Sequence, residues 1–337
     1  MKVGIAGVGF MGTTHAAGWA ATDAELAGFC AETTQEAERL AQTYRTRVYP
    51  DYAALLSDVD AIDICTPTHL HYDMVLQAAA ARKHIICEKP LARTVAQAQE
   101  MIRACRDAGV RLFVAHVVRF FPEYALAKAQ VDQGKIGKPA VVRLSRGSYR
   151  PKKPSGNWFL DVEKSGGMML DLMIHDFDYA RWISGEVESV FAKKVSTLHP
   201  DSATEYGIAM LKHASGALSH VIGAWAYPPP TFRTSFEIAG DGGLIEWSSD
   251  STAPINLLLR KDNVDAPDVG LPGSPVAESP YTTQIKEFYG ALNASRNRAV
   301  RVSAADGLAA VQIALAALES AQSGQPIQIA HLPEVAG

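Results

Sequence analysis

The sequence lacks a large excess of charge of either sign. Its 337 residues include 32 Lys and Arg against 36 Asp and Glu, which gives a formal net charge of -4 and a pI near 6.2. A chain with this balance has no general attraction for nucleic acid or for an anionic membrane surface. We therefore expect neither nucleic acid nor membrane among its partners.

Cysteine is scarce as well, and long apolar runs are missing. The four cysteines have no metal-ligand spacing, and three of them lie in apolar segments where a buried thiol is usual. Met1-Lys2 leads into an apolar run that is too short for a signal peptide, and we find no run near the ~20 apolar residues that a membrane span needs. These absences predict a soluble, cytoplasmic protein.

The chain is long enough, and with 47% hydrophobic residues apolar enough, for about two domains. Up to about Ala115, short apolar strands alternate with helical patterns, which predicts a parallel sheet covered on both faces. From Val187 to Trp247 several strand-like segments follow one another without regular helices between them. That order predicts an antiparallel sheet, and hence an α/β protein with two different sheets.

A glycine-rich turn, Gly7-Val8-Gly9-Phe10-Met11-Gly12, follows the first predicted strand and opens a helix. In this pattern the first glycine allows a tight turn, the second leaves no Cβ in the way of a pyrophosphate, and the third lets the helix lie close to the strand. Glu32 follows the second strand, where an acid accepts hydrogen bonds from ribose hydroxyls. This context favours a dinucleotide site over a plain loop with a helix-capping Glu32.

Other polar residues follow the next predicted strands at their carboxyl ends, where ligands bind to parallel α/β sheets. They are Thr66-Pro67, Glu88-Lys89-Pro90 and His116. The ammonium of Lys89 can donate a hydrogen bond to a substrate oxygen. The sequence does not decide whether the Lys89-Pro90 bond is cis, and a solvated surface lysine before a turn is the alternative.

A further polar pair follows Gly166-Gly167. We expect one helix from about Met168 to Ile183, on which Asp171 and His175 lie four positions apart and therefore on one face. Imidazole titrates near neutrality, which suits a group that takes a proton from a substrate hydroxyl, and Asp171 can orient the ring. The spacing also fits a surface pair that supports the helix. A zinc site is a third possibility, although no third ligand is evident.

Two aromatic pairs suit sugar rings because they combine hydrogen-bonding groups with flat apolar surface. They are Arg119-Phe120 and Asn157-Trp158. Each residue is equally compatible with packing. For Asp176 and Asp178, which occupy other faces of the predicted helix, structural roles are favoured.

Four ordered motifs resemble the glucose–fructose oxidoreductase, inositol dehydrogenase and rhizopine-catabolism (Gfo/Idh/MocA) family. They are the glycine-rich turn with His15, the run Asp60-Ala61-Ile62-Asp63-Ile64-Cys65-Thr66-Pro67 with His71, the tripeptide Glu88-Lys89-Pro90, and Gly166-Gly167 with Asp171 and His175. The resemblance implies an N-terminal NAD(P)-binding Rossmann domain with a doubly wound parallel sheet, residues 1–120. It also implies a C-terminal α/β domain for substrate binding and oligomerisation with a large open, mainly antiparallel sheet, residues 121–337.

One position departs from the family pattern. Met168 stands where a third glycine is common before the acidic residue. We expect its side chain to narrow the substrate cleft and to leave the three matched polar residues intact.

The resemblance further implies reversible hydride transfer between nicotinamide C4 and a carbinol carbon of a sugar, anhydro-sugar or cyclic polyol. Lys89, Asp171 and His175 match the family's catalytic residues: His175 accepts the hydroxyl proton and Lys89 stabilises the alkoxide. Glu32 repels a 2′-phosphate, so we expect NAD over NADP. The implied cofactor-binding residues are Gly7, Gly9, Phe10, Met11, Gly12, Glu32, Thr66, Pro67, His71, Glu88 and Lys89. The implied substrate-binding residues are Lys89, Arg119, Asn157, Trp158, Asp171 and His175.

Three other functions stay open at this point. A glycosidase of the same fold would use NAD transiently and release no net NADH. A non-catalytic nicotinamide-binding sensor would need neither Lys89 nor His175, and a methyltransferase would not explain Glu88-Lys89-Pro90. Because an open sheet with one apolar face usually finds a partner, we expect a homodimer or homotetramer.

Overall fold

A computed structural model of the chain describes residues 1–152, 157–197, 204–250, 278–294 and 298–330. Contacts between Cα atoms divide these residues into two compact units. The first contains residues 1–120 and the described part of 278–311, and the second contains the described parts of 121–250 and 312–330. Segment 278–311 thus packs with the first unit although it follows the second in sequence. The domain limits drawn from the sequence stay a prediction.

The first unit is built on six parallel strands. They are β1 (Lys2–Ala6), β2 (Glu25–Cys30), β3 (Arg47–Val48), β4 (Ala61–Ile64), β5 (His84–Glu88) and β6 (Leu112–Ala115). Their order in the sheet is β3-β2-β1-β4-β5-β6, and every neighbouring pair is parallel. The order reverses between β1 and β4, which makes the carboxyl ends of these two strands the switch point where ligands bind. The predicted doubly wound sheet is confirmed.

Five helices connect these strands, and their ends follow from local chemistry. They are α1 (Phe10–Ala20), α2 (Thr34–Tyr44), α3 (Tyr52–Asp58), α4 (Thr68–Ala80) and α5 (Val95–Ala108). The side chain of Thr94 caps α5 by accepting a hydrogen bond from the N–H of Gln97 at 3.1 Å, and Gly109 ends the helix in the left-handed region. Ala98, Met101, Ile102 and Cys105 form its buried stripe.

The second unit is built on a seven-stranded sheet. Its strands are β7 (Pro139–Ser148), β8 (Val187–Thr197), β9 (Thr204–His213), β10 (Leu218–Trp225), β11 (Phe232–Gly240), β12 (Gly243–Ser248) and β13 (Ile327–Gln328). The order is β12-β11-β7-β10-β9-β8-β13, with only the β7–β10 pair parallel among the described strands. The predicted large, mainly antiparallel sheet is confirmed. Strand β13, two residues long, is too short to give a periodic signal.

Four short helices precede and follow β7. They are α6 (Pro122–Asp132), α7 (Val162–Ser165), α8 (Gly167–Asp171) and α9 (Ile174–Ser184). Helices α8 and α9 lie against the sheet on the face where alternate residues are buried. On the other face, the side chains of β9 at positions 206, 208 and 210 are exposed, because successive residues of a strand point to opposite faces. The sheet therefore has one open face, on which β9 carries a row of exposed apolar side chains.

The chain ends with α10 (Pro280–Leu292) and α11 (Ala304–Ser323). Helix α10 packs on α1 in the first unit, where Phe288 stacks on Phe113 with ring centroids 4.9 Å apart. Helix α11 is long and apolar enough to cross a membrane by length and composition alone, so the expectation that no run approaches this length was wrong. Half of that stretch is buried in the protein, and buried core helices pass the same test.

Two segments discussed from the sequence lie wholly or partly outside the described residues. The predicted loop from Asp262 to Pro280 is described only from residue 278, and the polar loop from Arg150 to Trp158 lacks a description at 153–156.

Candidate active site

The glycine-rich turn has the geometry that a dinucleotide requires. Gly7 has a φ of +91°, and a Cβ there would lie 2.6 Å from the carbonyl oxygen of Cys65. A Cβ at Gly12 would lie 1.9 Å from the carbonyl oxygen of Gly7, so α1 can approach β1 only with glycine at this position. At Gly9, no heavy atom of the described residues lies within 4 Å of an added Cβ. This open space over Gly9 fits a pyrophosphate, and no described side chain caps the N-terminus of α1.

Glu32 lies two residues after β2 and is exposed. Thr33 and Thr34, which follow it, open α2 and carry no positive charge. A free carboxylate in this place suits the two ribose hydroxyls of NAD and opposes a 2′-phosphate. The residues of the first unit therefore fit NAD.

The loop after β4 lies against the glycine-rich turn. A Cβ at Gly7 would lie 2.8 Å from the backbone nitrogen of Thr66, and Pro67 is the N-cap of α4. His71 of α4 is buried, with Nδ1 2.8 Å from the carbonyl oxygen of Pro90 and Nε2 2.9 Å from that of Thr66. It thus joins the two loops that follow β4 and β5. The two carbonyls favour a charged ring, but burial has the larger effect and lowers the pKa of His71.

A buried polar cluster lies beneath these loops. His15 of α1 is fully buried, with Nδ1 2.9 Å from Oδ2 of Asp63 and Nε2 3.1 Å from Oε1 of Glu88. The indole N–H of Trp19 donates a hydrogen bond to Oδ2 of Asp63 at 2.7 Å. Sγ of Cys65 lies 3.3 Å from Nδ1 of His15, and the ligand-type atoms of His15, Asp63 and Cys65 all lie within 4.8 Å of one another. The cluster links α1 to the carboxyl ends of β4 and β5.

The ring of His15 carries a positive charge near neutral pH. Burial is the largest single influence and would lower its pKa, but the charge of Asp63 and the hydrogen bonds with Asp63 and Cys65 together outweigh burial and raise the pKa well above its usual value. Burial also raises the pKa of the Cys65 thiol, which stays protonated. The cluster is therefore an imidazolium held between carboxylates, and Cys65 is not a reactive thiolate.

Lys89 directly follows β5, and its side chain is half-buried. The peptide bond between Lys89 and Pro90 is cis, which could not be decided from the sequence. The backbone N–H of Lys89 donates a hydrogen bond to Oε2 of Glu88 at 3.0 Å. Lys89 thus lies at the same edge of the sheet as the glycine-rich turn.

Arg119 has the contacts of a structural residue. Its side chain is only 2% exposed, and Nη2 lies 3.1 Å from Oδ1 of Asp306. Its Nη1 donates a hydrogen bond to the carbonyl oxygen of Arg301 at 2.8 Å, and Arg301 donates one to the carbonyl oxygen of Arg119 at 3.0 Å. These bonds fasten the 3₁₀ turn Val117–Phe120 to the start of α11. A substrate contact by Arg119 stays a prediction.

In the second unit, Asp171 and His175 do not lie on one continuous helix, contrary to the sequence prediction. Asp171 is the last residue of α8, and α9 begins at Ile174. The break arises because the carbonyl oxygen of Met168 accepts hydrogen bonds from both Leu172, at 2.8 Å, and Met173, at 3.1 Å. Asp171 is buried and His175 is half-buried. Their catalytic roles stay a prediction.

The side chain of Met168 does not project into open space, so the expectation that it narrows the substrate cleft was wrong. Its side chain is fully buried. A Cβ at Gly207 of β9 would lie 3.0 Å from Cε of Met168, and a Cβ at Gly223 of β10 would lie 2.2 Å from Cγ of Met173. Gly207 and Gly223 are paired across the two strands. This glycine pair accommodates the methionines, so Met168 adds its bulk to the core.

Three other predicted residues of the second unit have identified contacts. Asp176 forms a buried, bidentate pair with Arg146, at 2.7 and 3.0 Å, which agrees with a structural role. Asn157 donates a hydrogen bond to the carbonyl oxygen of Pro151 at 2.8 Å, and Trp158 stacks on Phe159 with centroids 4.0 Å apart. Substrate contacts by Asn157 and Trp158 stay a prediction.

Sequence reasoning missed the cluster around His15. The available signal was Asp63, a charged residue inside the otherwise apolar strand β4. A charge in a strand covered on both faces requires a buried partner. The identity of that partner, 48 positions away in sequence, depends on the three-dimensional fold.

Comparison with known proteins gives matches over both units. The profile of the GFO_IDH_MocA oxidoreductase family with an NAD-binding Rossmann fold matches residues 1–116, and that of the GFO/IDH/MocA C-terminal domain matches residues 124–246. The uncharacterized oxidoreductase YrbE of Bacillus subtilis is 32% identical over 299 residues, which cover 85% of this chain and 83% of that protein. An inositol 2-dehydrogenase of Rhizobium meliloti is 26% identical over 98% of this chain and 99% of its own.

A solved structure has the same fold. Levoglucosan dehydrogenase, in complex with NADH and levoglucosan, superposes with a TM-score of 0.83 at 24% identity, over 98% of this chain and 100% of that one. The predicted NAD-binding Rossmann domain is thereby confirmed.

Proposed function

Since the chain belongs to the Gfo/Idh/MocA family of oxidoreductases, we propose that it is an NAD-dependent dehydrogenase that oxidises a secondary hydroxyl of a sugar, anhydro-sugar or cyclic polyol. The observation that carries this proposal is the position of Lys89. It follows β5 at the edge of the sheet where the turn after β1 is shaped for a pyrophosphate. The inositol 2-dehydrogenase relative supports the substrate class.

In the proposed reaction, bound NAD supplies the hydride acceptor. The ammonium of Lys89 donates a hydrogen bond to the substrate oxygen and stabilises the negative charge that develops there. His175 accepts the hydroxyl proton, because an imidazole titrates close to neutral pH. Asp171 orients the imidazole or binds a neighbouring hydroxyl. The residues that would hold the cofactor are Gly7, Gly9, Phe10, Met11, Gly12, Glu32, Thr66 and Pro67, with Glu88 and His71 supporting the loops.

We also propose a preference for NAD over NADP. Glu32 is exposed at the end of β2, where its carboxylate accepts hydrogen bonds from ribose hydroxyls and repels a 2′-phosphate. Equal catalytic efficiency with the two cofactors would refute this preference.

The open face of the seven-stranded sheet supports a homodimer or homotetramer. Tyr206, Ile208 and Met210 alternate along β9 and are 43%, 43% and 44% exposed. Val195 of β8 pairs with Tyr206, and Phe191 pairs with Met210, while Lys193 lies between them opposite Ile208. The exposed apolar side chains are therefore contiguous along β9 and extend to β8 at two positions. A contiguous apolar surface of this kind favours association with a second copy of the chain.

We further propose a cytoplasmic location. All four cysteines are free thiols, as is usual in a reducing compartment.

The experiment that tests the proposed function is a substrate screen with purified protein and NAD. Inositols, pyranoses and anhydro-sugars are offered in turn, and NADH is followed by its absorbance. A dehydrogenase accumulates NADH in proportion to substrate. A glycosidase of the same fold cleaves glycosides without net NADH, and a sensor binds NADH but turns over none of the panel.

A further inference from the structure

Two buried histidines hold the residues on either side of Lys89. His15 comes from α1 and contacts Glu88, the residue before Lys89. His71 comes from α4 and contacts the carbonyl oxygen of Pro90, the residue after it. Both rings are almost fully shielded from solvent, with 0% and 1% exposure.

On the α1 side, the carboxylate of Glu88 links the ring of His15 to the backbone of Lys89. Oε1 of Glu88 lies 3.1 Å from Nε2 of His15, while Oε2 accepts the backbone N–H of Lys89 at 3.0 Å. The opposite ring nitrogen of His15 is fixed by Asp63, whose Oδ2 also accepts a hydrogen bond from the indole of Trp19. The carboxylate of Glu88 therefore accepts one hydrogen bond, at Oε2, while Oε1 lies at ion-pair distance from His15 without hydrogen-bond geometry. Through this ion pair its position is coupled to that of α1.

The contact on the α4 side is made by one imidazole. The ring of His71 lies between the carbonyl oxygens of Pro90 and Thr66, at 2.8 and 2.9 Å. Thr66 in turn lies against Gly7 of the glycine-rich turn. Because the lowered pKa leaves the ring neutral with one N–H, His71 donates to one of these carbonyl oxygens and packs against the other. The ring thereby places the turn that carries Lys89 against the loop that borders the dinucleotide.

We propose that His15 and His71 are positioning residues that clamp the turn Glu88-Lys89-Pro90 and thereby fix the direction of the Lys89 side chain relative to the glycine-rich turn. The expected effect of the clamp on turnover rests on the proposed function. The structural claim, that the two histidines fix the turn, does not. Glu88, assigned to cofactor binding from the family resemblance, acts in this account through the backbone of Lys89.

Energetic considerations favour a positioning role over simple packing. A buried ionic group adds little stability, because the cost of removing charges from water offsets their attraction, and an apolar core of the same volume is often as stable. His213 provides a contrast within the same chain. That buried histidine bonds only neutral partners among the described residues, the carbonyl oxygen of Gly185 and the hydroxyl of Ser219. The charged histidine cluster, by contrast, lies where a strand end leads into Lys89.

Misplacement of a catalytic group by about 1 Å can reduce turnover by about 10²-fold. Loss of either histidine is therefore expected to lower kcat. For the loss of His15, whose hydrogen-bonding partners among the described residues are Asp63 and Cys65 rather than Thr66, NADH should keep its affinity within about threefold. A histidine that only packed would affect stability and leave kcat of the folded enzyme unchanged.

The direct test is hydrogen exchange at the backbone amide of Lys89, measured by mass spectrometry on the full-length, cofactor-free protein. Wild type is compared with His15→Asn, His71→Asn, Glu88→Ala and the control His213→Asn. We expect exchange at Lys89 to rise by about tenfold or more in the first three variants and to stay at the wild-type rate in the control. Glu88→Gln keeps an acceptor for the amide and should restore most of the protection.

The second readout is kinetic, on substrate and NAD, with the NADH dissociation constant measured beside it. His15→Asn and Glu88→Ala should each lower kcat by about 10- to 100-fold, and the double variant should be no worse than the poorer single one. His213→Asn should keep the wild-type kcat.

The outcomes separate this proposal from the proposed function. If the wild-type protein oxidises none of the offered alcohols, the proposed function fails. The hydrogen-exchange experiment still shows whether the two histidines fix the turn around Lys89. Unchanged exchange at Lys89 in Glu88→Ala, which keeps both histidines, would overturn the clamp. One zinc ion per chain in the purified protein, lost in His15→Asn, would also overturn it, because the cluster would then be a metal site.

Discussion

Nε2 of His15 lies 3.1 Å from Oε1 of Glu88, although the two residues are 73 positions apart in the chain. This contact joins the helix that opens at the glycine-rich turn to the strand that ends before Lys89. Both residues are buried, and Asp63 on the other side of the imidazole balances its charge. The first unit thus places a fixed ionic group beneath its candidate site.

The raised pKa of His15 has a defined consequence for stability. A group whose folded pKa exceeds its unfolded value near 6.5 contributes stability that is complete below pH 6.5 and is lost as the pH rises through the folded value. The free energy of unfolding should therefore fall as the pH rises above 6.5, by at most about 1.4 kcal/mol per pH unit. Urea denaturation across this range measures the slope.

The two other histidines whose pKa is shifted do not change the free energy of unfolding above pH 6.5. Burial lowers the pKa of His71 and of His213, so their contributions change only below pH 6.5. Burial raises the pKa of the Cys65 and Cys87 thiols, whose effects begin only near pH 9. His213→Asn should keep the slope above pH 6.5. A free energy of unfolding that stays constant or rises as the pH increases above 6.5 contradicts a charged His15.

Two glycines of the turn should respond differently to alanine. A Cβ at Gly12 would meet the backbone oxygen of Gly7 at 1.9 Å, so Gly12→Ala should destabilise the protein by about 1–3 kcal/mol or more. Gly9→Ala meets open space in the cofactor-free protein and should change stability by less than about 0.5 kcal/mol. It should still weaken NADH binding by about tenfold or more, because the methyl group fills the space that the pyrophosphate needs. Thermal denaturation and fluorescence titration check the pair.

Lys89 and His175 should each be needed for turnover. A positioned acid or base contributes about 10²- to 10⁴-fold in rate, so Lys89→Ala and His175→Ala should each lower kcat by that factor. Neither substitution alters the glycine-rich turn, and NADH should still bind to both variants. Steady-state kinetics with a parallel NADH titration measures the two effects. Wild-type activity in both variants would remove the catalytic assignment.

The glycine pair of the second sheet offers a test of core packing. A Cβ at Gly223 would lie 2.2 Å from Cγ of Met173, so Gly223→Ala should cost about 1–3 kcal/mol of stability. At Gly207 the nearest atoms are the flexible ends of Met169 and Met168, at 2.9 and 3.0 Å, and Gly207→Ala should cost less. Urea denaturation of the two single variants compares them. Equal costs would show that the methionines do not pack as described.

The exposed face of β9 should mediate self-association. Ile208 is 43% exposed in the middle of the apolar row along β9, and a carboxylate there would place a charge inside the interface of an oligomer. Ile208→Glu should therefore reduce the molar mass measured by light scattering, while Glu246→Gln, on the same sheet at an exposed polar position, should not. A monomeric wild type would contradict the proposed assembly.

Much of the fold could be predicted from the sequence, because helix-end residues and the alternation of apolar strands with helices agree with the tertiary structure. Helix α5 begins after the capping side chain of Thr94 and ends at Gly109 in the left-handed region, and α2 ends at Arg45 in the same region, so these ends are set locally. The alternation of apolar strands and helices likewise gave the parallel sheet. These features depend on neighbours within a few residues.

The missed features depend on contacts between distant residues. The expected single helix after Gly167 breaks at Leu172 and Met173, where the methionine side chain meets Gly223 of a strand 50 positions later. The pairing of His15 with Glu88 and the packing of α10 on α1 likewise require the three-dimensional arrangement. The candidate cofactor residues were predictable from a compact motif, but the supports beneath Lys89 were not.

The most direct measurement of the central claim is the formation of NADH by the purified wild-type protein in the presence of NAD and a panel of inositols, pyranoses and anhydro-sugars. A dehydrogenase with Lys89 in its active site accumulates NADH with at least one alcohol of this panel, and Lys89→Ala lowers that rate by about 10²-fold or more. Tight NADH binding without NADH formation from any member of the panel would contradict this claim.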